Sequence, residues 1–324
     1  MRLQITPDKL FGLALLAAVS LLPGQANALI FSVDPASPLI GTNTTGGVIT
    51  PDDLLAPGPN GPVVVKQGRD MGLKDDFYNG NFDNLDAVSK GDDYPPWKYL
   101  YFSVDRVSVG LPGSDVYDQA QPGVEEAAGD IYRTPPYGSN KLVIDEEQLG
   151  LKSGFFGDDL DALDWTSDVS SPLYFSIDEL SASNDGAGCK AANIYRDVFP
   201  VVQHYYFQMG LTCSDDLDAL VYDAIDDIAL FSLSPFSALT FTYTGYDYQP
   251  GIPEHLSPAD ILFTRFDGTF SLWKSAAEIG LFPGDNVDAL EVPEPGTVLL
   301  MVTGLFGLWR TDRVFGAMAK YKAS

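Results

Sequence analysis

Internal repetition constrains this chain most, because ordered self-similarity dictates architecture before any local propensity is weighed. Four segments share one pattern: Phe31-Ser32-Val33-Asp34, Phe102-Ser103-Val104-Asp105, Phe175-Ser176-Ile177-Asp178 and Phe231-Ser232-Leu233-Ser234, spaced by 71, 73 and 56 residues. A Gly-Leu step recurs at Gly72-Leu73, Gly150-Leu151, Gly210-Leu211 and Gly280-Leu281. Each step is followed by an acidic turn that runs into Asp-Ala: Asn84-Leu85-Asp86-Ala87, Asp159-Leu160-Asp161-Ala162, Asp216-Leu217-Asp218-Ala219 and Asn286-Val287-Asp288-Ala289. Between the Phe-Ser and Gly-Leu marks lies an Ile-centred stretch, Asp130-Ile131-Tyr132, Asn193-Ile194-Tyr195 and Asp260-Ile261-Leu262, with a looser counterpart around residues 48–54.

The Phe-Ser segments alternate apolar and polar residues as half-buried strands do. Residues 141–144, 204–208 and 269–273 also read as strands, residues 145–149 and 275–279 as brief helices, and the Asp-Ala segment as a last strand. Four strands per unit predict propeller blades, with repeats near 29–88, 100–163, 173–220 and 230–290. A stacked solenoid would need capping units at both ends, yet the repeats fill residues 29–290. The expected fold is therefore all-β, a closed four-bladed β-propeller spanning residues 29–292. Ala289 has no Phe-Ser strand after it and Phe31 has no Asp-Ala strand before it. Val287–Val292 is thus expected to pair with Leu29–Asp34, so that the N- and C-terminal strands share one blade and hide two sheet edges. In architecture this resembles the four-bladed hemopexin-type propeller, where an Asp-x-Ala-like inner strand precedes an aromatic strand, as Asp161-Ala162 precedes Tyr174-Phe175. The resemblance implies no haem chemistry, because His204 and His255 occupy unequal repeat contexts.

Both ends read as addresses. Arg2 and Lys9 precede the apolar stretch Leu10–Leu22, and Ala26-Asn27-Ala28 offers small residues at both recognition positions. Residues 1–28 are thus expected to be a secretory signal peptide cleaved after Ala28 and used by the Sec export machinery. At the other end, Val292-Pro293-Glu294-Pro295 precedes the apolar run Thr297–Trp309, which Arg310 and Arg313 follow. Residues 293–324 resemble the PEP-CTERM sorting signal of Gram-negative bacteria: a Pro-Glu-Pro motif, a short apolar helix and a basic cluster. The resemblance implies that Pro293, Glu294 and Pro295, with Arg310 and Arg313 behind the helix, form a tail processed by exosortase, a membrane-embedded transpeptidase. It also implies an exported protein of the envelope, outer surface or extracellular matrix, membrane-associated before tail processing, in an organism that makes exopolysaccharide.

Composition narrows the chemistry. The net charge is −26, and removing residues 1–28 and 296–324 takes away six basic and two acidic residues, which leaves −30. Such a field repels a phosphate backbone, so nucleic acid is excluded as a partner. No Gly-x-Ser-x-Gly elbow, His-Glu-x-x-His or phosphate loop is present, and His204 and His255 read as packing or surface residues. Cys189 and Cys213 are the two thiols, and an oxidising destination makes a disulfide between them the expected state. Asp86, Asp161, Asp218 and Asp288 recur in equivalent places, so a ring would array four carboxylates by symmetry. Hard oxygen ligands in that number suit Ca2+; the alternative is an Asx turn, each Asp bonding its own backbone. The expected function is a non-enzymatic matrix or envelope module that binds polysaccharide or a matrix protein, with Ca2+ as its one candidate cofactor. The alternative is a secreted glycan hydrolase using carboxylates on one face of the ring.

Overall fold

A computed structural model describes residues 29–76, 79–90, 99–135, 138–165, 172–184, 189–241 and 256–292. The signal peptide, the sorting tail with its apolar helix, and His255 lie outside the described residues. Among the described residues no helix is long and apolar enough to cross a membrane.

Four antiparallel four-stranded sheets make the fold. From the inside outward, blade I is Ala87–Ser89, Leu100–Ser103, Ile131–Thr134 and Lys141–Ile144. Blade II is Leu160–Trp165, Leu173–Ile177, Ile194–Arg196 and Val202–His204. Blade III is Leu217–Asp223, Ile228–Leu233, Ile261–Thr264 and Phe270–Lys274. Blade IV takes its inner strand, Val287–Glu291, from the C-terminal end of the repeats and the other three, Ile30–Val33, Leu54–Ala56 and Val63–Lys66, from the N-terminal end. The inner strand of each blade packs against those of both neighbours, which makes the closed four-blade ring. Phe31 pairs with Leu290 and Ile30 with Glu291, so the expected clasp is the observed one. Repeat and blade are consequently out of phase by one strand: each repeat supplies three strands of one blade and the innermost strand of the next.

Apolar cores fill the spaces between neighbouring blades. Ile30, Leu54 and Ala289 of blade IV pack with Val88, Leu100 and Phe102 of blade I, and Ala87, Tyr101 and Ile131 of blade I pack with Leu163 and Phe175 of blade II. Phe31, Phe102, Phe175 and Phe231 are all fully buried. The alanines of the Asp-Ala step, Ala87, Ala162, Ala219 and Ala289, are at most 1% exposed, because inner strands meet there with no room for a longer side chain.

The Gly-Leu step is a helix-ending device. Each glycine is left-handed, with φ of 82° at Gly72, 74° at Gly150, 80° at Gly210 and 85° at Gly280. The amide of each following leucine donates to the carbonyl five residues back, as in Leu73 to Gly68 and Leu281 to Ala276, which is the Schellman arrangement. That device corrects two expectations. Residues 204–208 are not one strand: the strand is Val202–His204, and Tyr206–Met209 form the one-turn helix that Gly210 ends. Residues 145–149 are a hydrogen-bonded turn rather than a helix. Four residues must curl before the glycine, so the strand has to stop earlier. In the first repeat the third strand is Leu54–Ala56, later than residues 48–54 suggested. Asp53 fixes it there, accepting from the Gly68 amide as Asp130 accepts from Glu146, Asn193 from Tyr206 and Asp260 from Ala276.

The Cys189–Cys213 disulfide is present, with a sequence separation of 24 residues. It ties the approach to the third strand of blade II to the turn that feeds blade III. A cross-link over a loop of this size stabilises by about 3 kcal/mol.

Candidate functional site

Each acidic turn carries three polar residues with three separate tasks. The first is Asp83, Asp158, Asp215 or Asp285, and its two oxygens gather loop amides. Asp83 accepts from Lys74, Val109 and Gly110, Asp158 from Lys152 and Ser183, Asp215 from Thr212 and Leu239, and Asp285 from Leu39 and Phe282. The backbone-bonding task considered above for Asp86, Asp161, Asp218 and Asp288 therefore falls to the residue three positions earlier.

The third residue of the turn is that expected set of four. In blades II, III and IV it stands in a β-bulge: Leu160 and Ala162 pair across the sheet on either side of Asp161, Leu217 and Ala219 flank Asp218, and Val287 and Ala289 flank Asp288. A bulge re-aims its unpaired residue. Asp86, Asp218 and Asp288 are 6%, 6% and 7% exposed.

The middle residue is Asn in two copies and Asp in the other two: Asn84, Asp159, Asp216, Asn286. Around it, four equivalent clefts form between neighbouring inner strands. Between blades I and II, Asp86, Asp105 and Asp159 bring ligand oxygens within 4.8 Å of one another, and between blades II and III Asp161, Asp178 and Asp216 do the same. By repeat position the other two clefts hold Asp218, Ser234 and Asn286, and Asp288, Asp34 and Asn84. In the last of these, Asn84 Nδ2 donates to Asp288 Oδ2 across the blade boundary at 2.8 Å and to Asp86 Oδ1 at 2.7 Å. Asn286 Nδ2 donates to Asp288 Oδ1 at 2.9 Å.

No amide stands where Asp159 and Asp216 replace asparagine. There Asp159 Oδ1, Asp161 Oδ2 and Asp216 Oδ1 are buried atoms without a hydrogen-bond partner, as are Asp218 Oδ2, Asn84 Oδ1 and Asn286 Oδ1 in the other two clefts. Burial pushes the carboxyls of Asp86, Asp159, Asp161, Asp216, Asp218 and Asp288 well above the ordinary range, and the neighbouring carboxylates push them further. Among the described residues one cation answers them: Arg106 Nη2 lies 3.0 Å from Asp178 Oδ1, and its Nε 3.4 Å from Asp159 Oδ2, so the guanidinium bridges the two triads.

The Phe-Ser segments supply the seams. Ser32, Ser103, Ser176 and Ser232, all fully buried, donate to the carbonyls of Leu85, Leu160, Leu217 and Val287, at or just before the start of the next blade's inner strand, at 2.8, 2.8, 3.0 and 2.7 Å. A second serine, six residues after each phenylalanine, escaped the sequence reading. Ser37, Ser108, Ser181 and Ser237 receive the amides of Asn286, Asn84, Asp159 and Asp216 at 2.7–3.0 Å and lock the middle residue of each acidic turn. The signal was present as Phe-Ser-x-Asp-x-x-Ser, with Ser in the Asp place of the last copy.

His204 is a packing residue. Its ring stacks on Phe266 with centroids 3.5 Å apart, its Nε2 lies 3.0 Å from Asp227 Oδ1, and burial lowers its pKa.

Residues 291–314 match the PEP-CTERM protein-sorting motif. This chain carries that sorting signal. The match contains Pro293, Glu294, Pro295, Arg310 and Arg313, the residues the sequence pattern marked. It begins on Glu291, the last residue of the closing strand of blade IV. No curated protein shows significant sequence similarity to the chain.

A third acidic group, Asp130, Asp145 and Glu146, stands at the outer turn of blade I. Glu146 is 1% exposed, both its oxygens lack hydrogen-bond partners, and burial followed by the adjacent Asp130 pushes its carboxyl up to about 9. Gly129 leaves the space for it, since a Cβ there would lie 2.7 Å from that of Glu146. Blade IV fills the equivalent slot from the opposite strand, with Asp52 against Gly68. The unfolded chain releases the Glu146 proton near 4.5 and the folded chain near 9, so across that window the folded state binds more protons and loses stability as pH rises. Glu146→Gln is expected to match wild type near pH 4 and to become progressively the more stable protein toward pH 8. Urea midpoints of both proteins measured across that range check it, and parallel pH profiles would contradict it.

Proposed function

We propose that this protein is a non-enzymatic module of the extracellular matrix or envelope of a Gram-negative bacterium. It binds matrix polysaccharide or a matrix protein, with divalent cations, Ca2+ foremost, as counter-ions to its buried acid. The PEP-CTERM motif marks an exported, surface-sorted protein and implies exosortase processing in general. One contrast carries the choice against a hydrolase. Asp86, Asp159, Asp216, Asp218 and Asp288, whose carboxyls burial pushes well above the ordinary range, are less than a tenth exposed, so a sugar ring cannot come between them. Large aromatic faces are open instead: Tyr205 and Phe207 are 49% and 56% exposed, with rings stacked at 5.6 Å and only 9° apart. Flat exposed rings of this kind suit the apolar face of a sugar.

Tyr205→Ala with Phe207→Ala is expected to weaken binding to the producing cells' own exopolysaccharide by roughly tenfold, in line with the size of aromatic contacts. Unchanged binding by the double variant would remove this face from the proposal, and reducing-end release by the wild type would favour the hydrolase. In cells without exosortase the protein is expected to keep its tail mass and stay with the membrane fraction; unchanged mass and location would remove the processing step.

A further inference from the structure

We propose that the two clefts flanking blade II each hold a divalent cation of the Ca2+ class. The triads are Asp86–Asp105–Asp159 and Asp161–Asp178–Asp216, and the side-chain amides of Asn84 and Asn286 take the cation's place in the other two clefts. The inference rests on the cation part of the reading above and is independent of which glycan or protein is bound.

The molecule contains its own control. Four clefts are built from the same repeat; they differ at the middle residue of the turn, Asn or Asp, and one Asn cleft also carries Ser234 where the other three have Asp34, Asp105 or Asp178. Where it is Asn84, the amide bridges carboxylates of two blades, Asp86 and Asp288, with two hydrogen bonds. Where it is Asp159 or Asp216, an acceptor replaces that donor. Those two residues are 5% and 1% exposed, and Asp159 Oδ1 and Asp216 Oδ1 lack any partner; Asn84 Oδ1 and Asn286 Oδ1 lack one as well, but those are neutral amide oxygens. A buried orphaned carboxylate oxygen costs free energy unless something positive meets it.

Charge points the same way. Like charges held this close in a buried cleft are poorly screened and repel strongly. Three ionised carboxylates within 4.8 Å of one another are in that position. Arg106 supplies one positive charge to the six carboxylates of the two triads. Two divalent ions would bring the sum close to neutral; protons are the alternative, and at neutral pH Ca2+ competes with them. Oxygen-only donor sets with flexible geometry select Ca2+ over softer metals, and over Mg2+, which demands strict octahedral geometry. Asp178, 23% exposed at its side chain, gives solvent ions access to the cleft between blades II and III.

The test uses the exported protein purified from its own cells, stripped with EDTA and titrated with CaCl2 under native mass spectrometry and in thermal melts. Wild type is expected to retain two Ca2+ and to melt roughly 10 °C higher in millimolar Ca2+ than in EDTA. Asp216→Asn should retain one ion and Asp159→Asn with Asp216→Asn none, while the double variant melts in EDTA no lower than wild type does. The reverse change, Asn84→Asp, should lower the melt in EDTA and add a third ion. Wild type that retains no Ca2+ and melts alike in EDTA and Ca2+ overturns the proposal, as does a double variant that still holds two ions. If the double variant does not fold, two ions on wild type and a third on Asn84→Asp carry the proposal, and an unchanged count on Asn84→Asp overturns it. Glycan binding measured on the same samples separates the readings, because its loss with two ions still bound fails the matrix reading alone.

Discussion

A mature protein lacking residues 29–33 is expected not to reach its closed ring. The deletion takes away Ile30–Val33, a strand in which every residue is at most 1% exposed and which pairs on one side with Val287–Glu291 and on the other with Leu54–Ala56. Burying Ile30, Phe31 and Val33 stabilises by roughly 1.5–3 kcal/mol each, so their loss alone rivals the stability of an ordinary domain. Two edges are then left unpaired, the inner strand of blade IV and Leu54–Ala56, and exposed edges invite association with other chains. The expected readout is loss of the cooperative urea transition followed by Trp165 and Trp273 fluorescence, together with concentration-dependent association. A peptide of residues 29–36 supplied in trans is expected to restore part of the transition, because the missing strand is short and its site preformed. A truncated protein with the wild-type midpoint and slope would mean that the ring does not depend on the clasp. The expected cleavage after Ala28 matters here, since it leaves a single residue ahead of the strand.

Much of this was legible in the sequence. Phe-Ser, Gly-Leu and Asp-Ala recur because each does a local job that one side chain or one backbone angle fixes: a buried ring, a left-handed cap at Gly72 and its counterparts, a small residue at the axis. The closing pair followed from counting which strands lacked neighbours. The partners that give the polar residues meaning were not legible, because they lie on another blade. Ser32 reaches Leu85 and Ser103 reaches Leu160, 53 and 57 positions away, and no periodicity announces such a bond. The acidic turn was read as one four-membered ring of Asp86, Asp161, Asp218 and Asp288. Its first residue proved to hold loops, and its middle residue is Asn in two copies and Asp in the other two. That difference stood in the sequence, but its consequence appears only when Asn84 is seen between Asp86 and Asp288. Likewise residues 204–208 alternate well enough for a strand, and only the capped turn at Gly210 shows why the strand stops at His204.

The serine seams give the second large effect and an independent test of closure. Ser32, Ser103, Ser176 and Ser232 make one equivalent bond each, blade to blade, so the four bonds run once around the ring. Replacing any of them with alanine leaves a buried carbonyl without its donor, at a cost of about 1–3 kcal/mol. The four sites lie on separate seams and share no partner, so their costs should add, and the fourfold alanine variant is expected to lose on the order of 4–12 kcal/mol, enough to unfold a marginal domain. The comparison among single variants is more telling than the sum. Ser103 and Ser176 join blades that follow one another in the chain, whereas Ser32 joins blade IV, assembled from both ends of the repeat region, to blade I. In a ring closed by the clasp, Ser32→Ala costs as much as Ser103→Ala, because the seam it serves is under the same burial and the same geometry. In a chain whose ends part readily, the Ser32 seam would already be open part of the time, and its loss would register as a small fraction of the others. Urea midpoints of the four single variants, measured with constant slope, decide between these outcomes. Threonine at the same positions keeps the hydroxyl but adds a methyl group against a neighbouring inner strand, so Ser→Thr should also destabilise, through crowding rather than an unmet carbonyl.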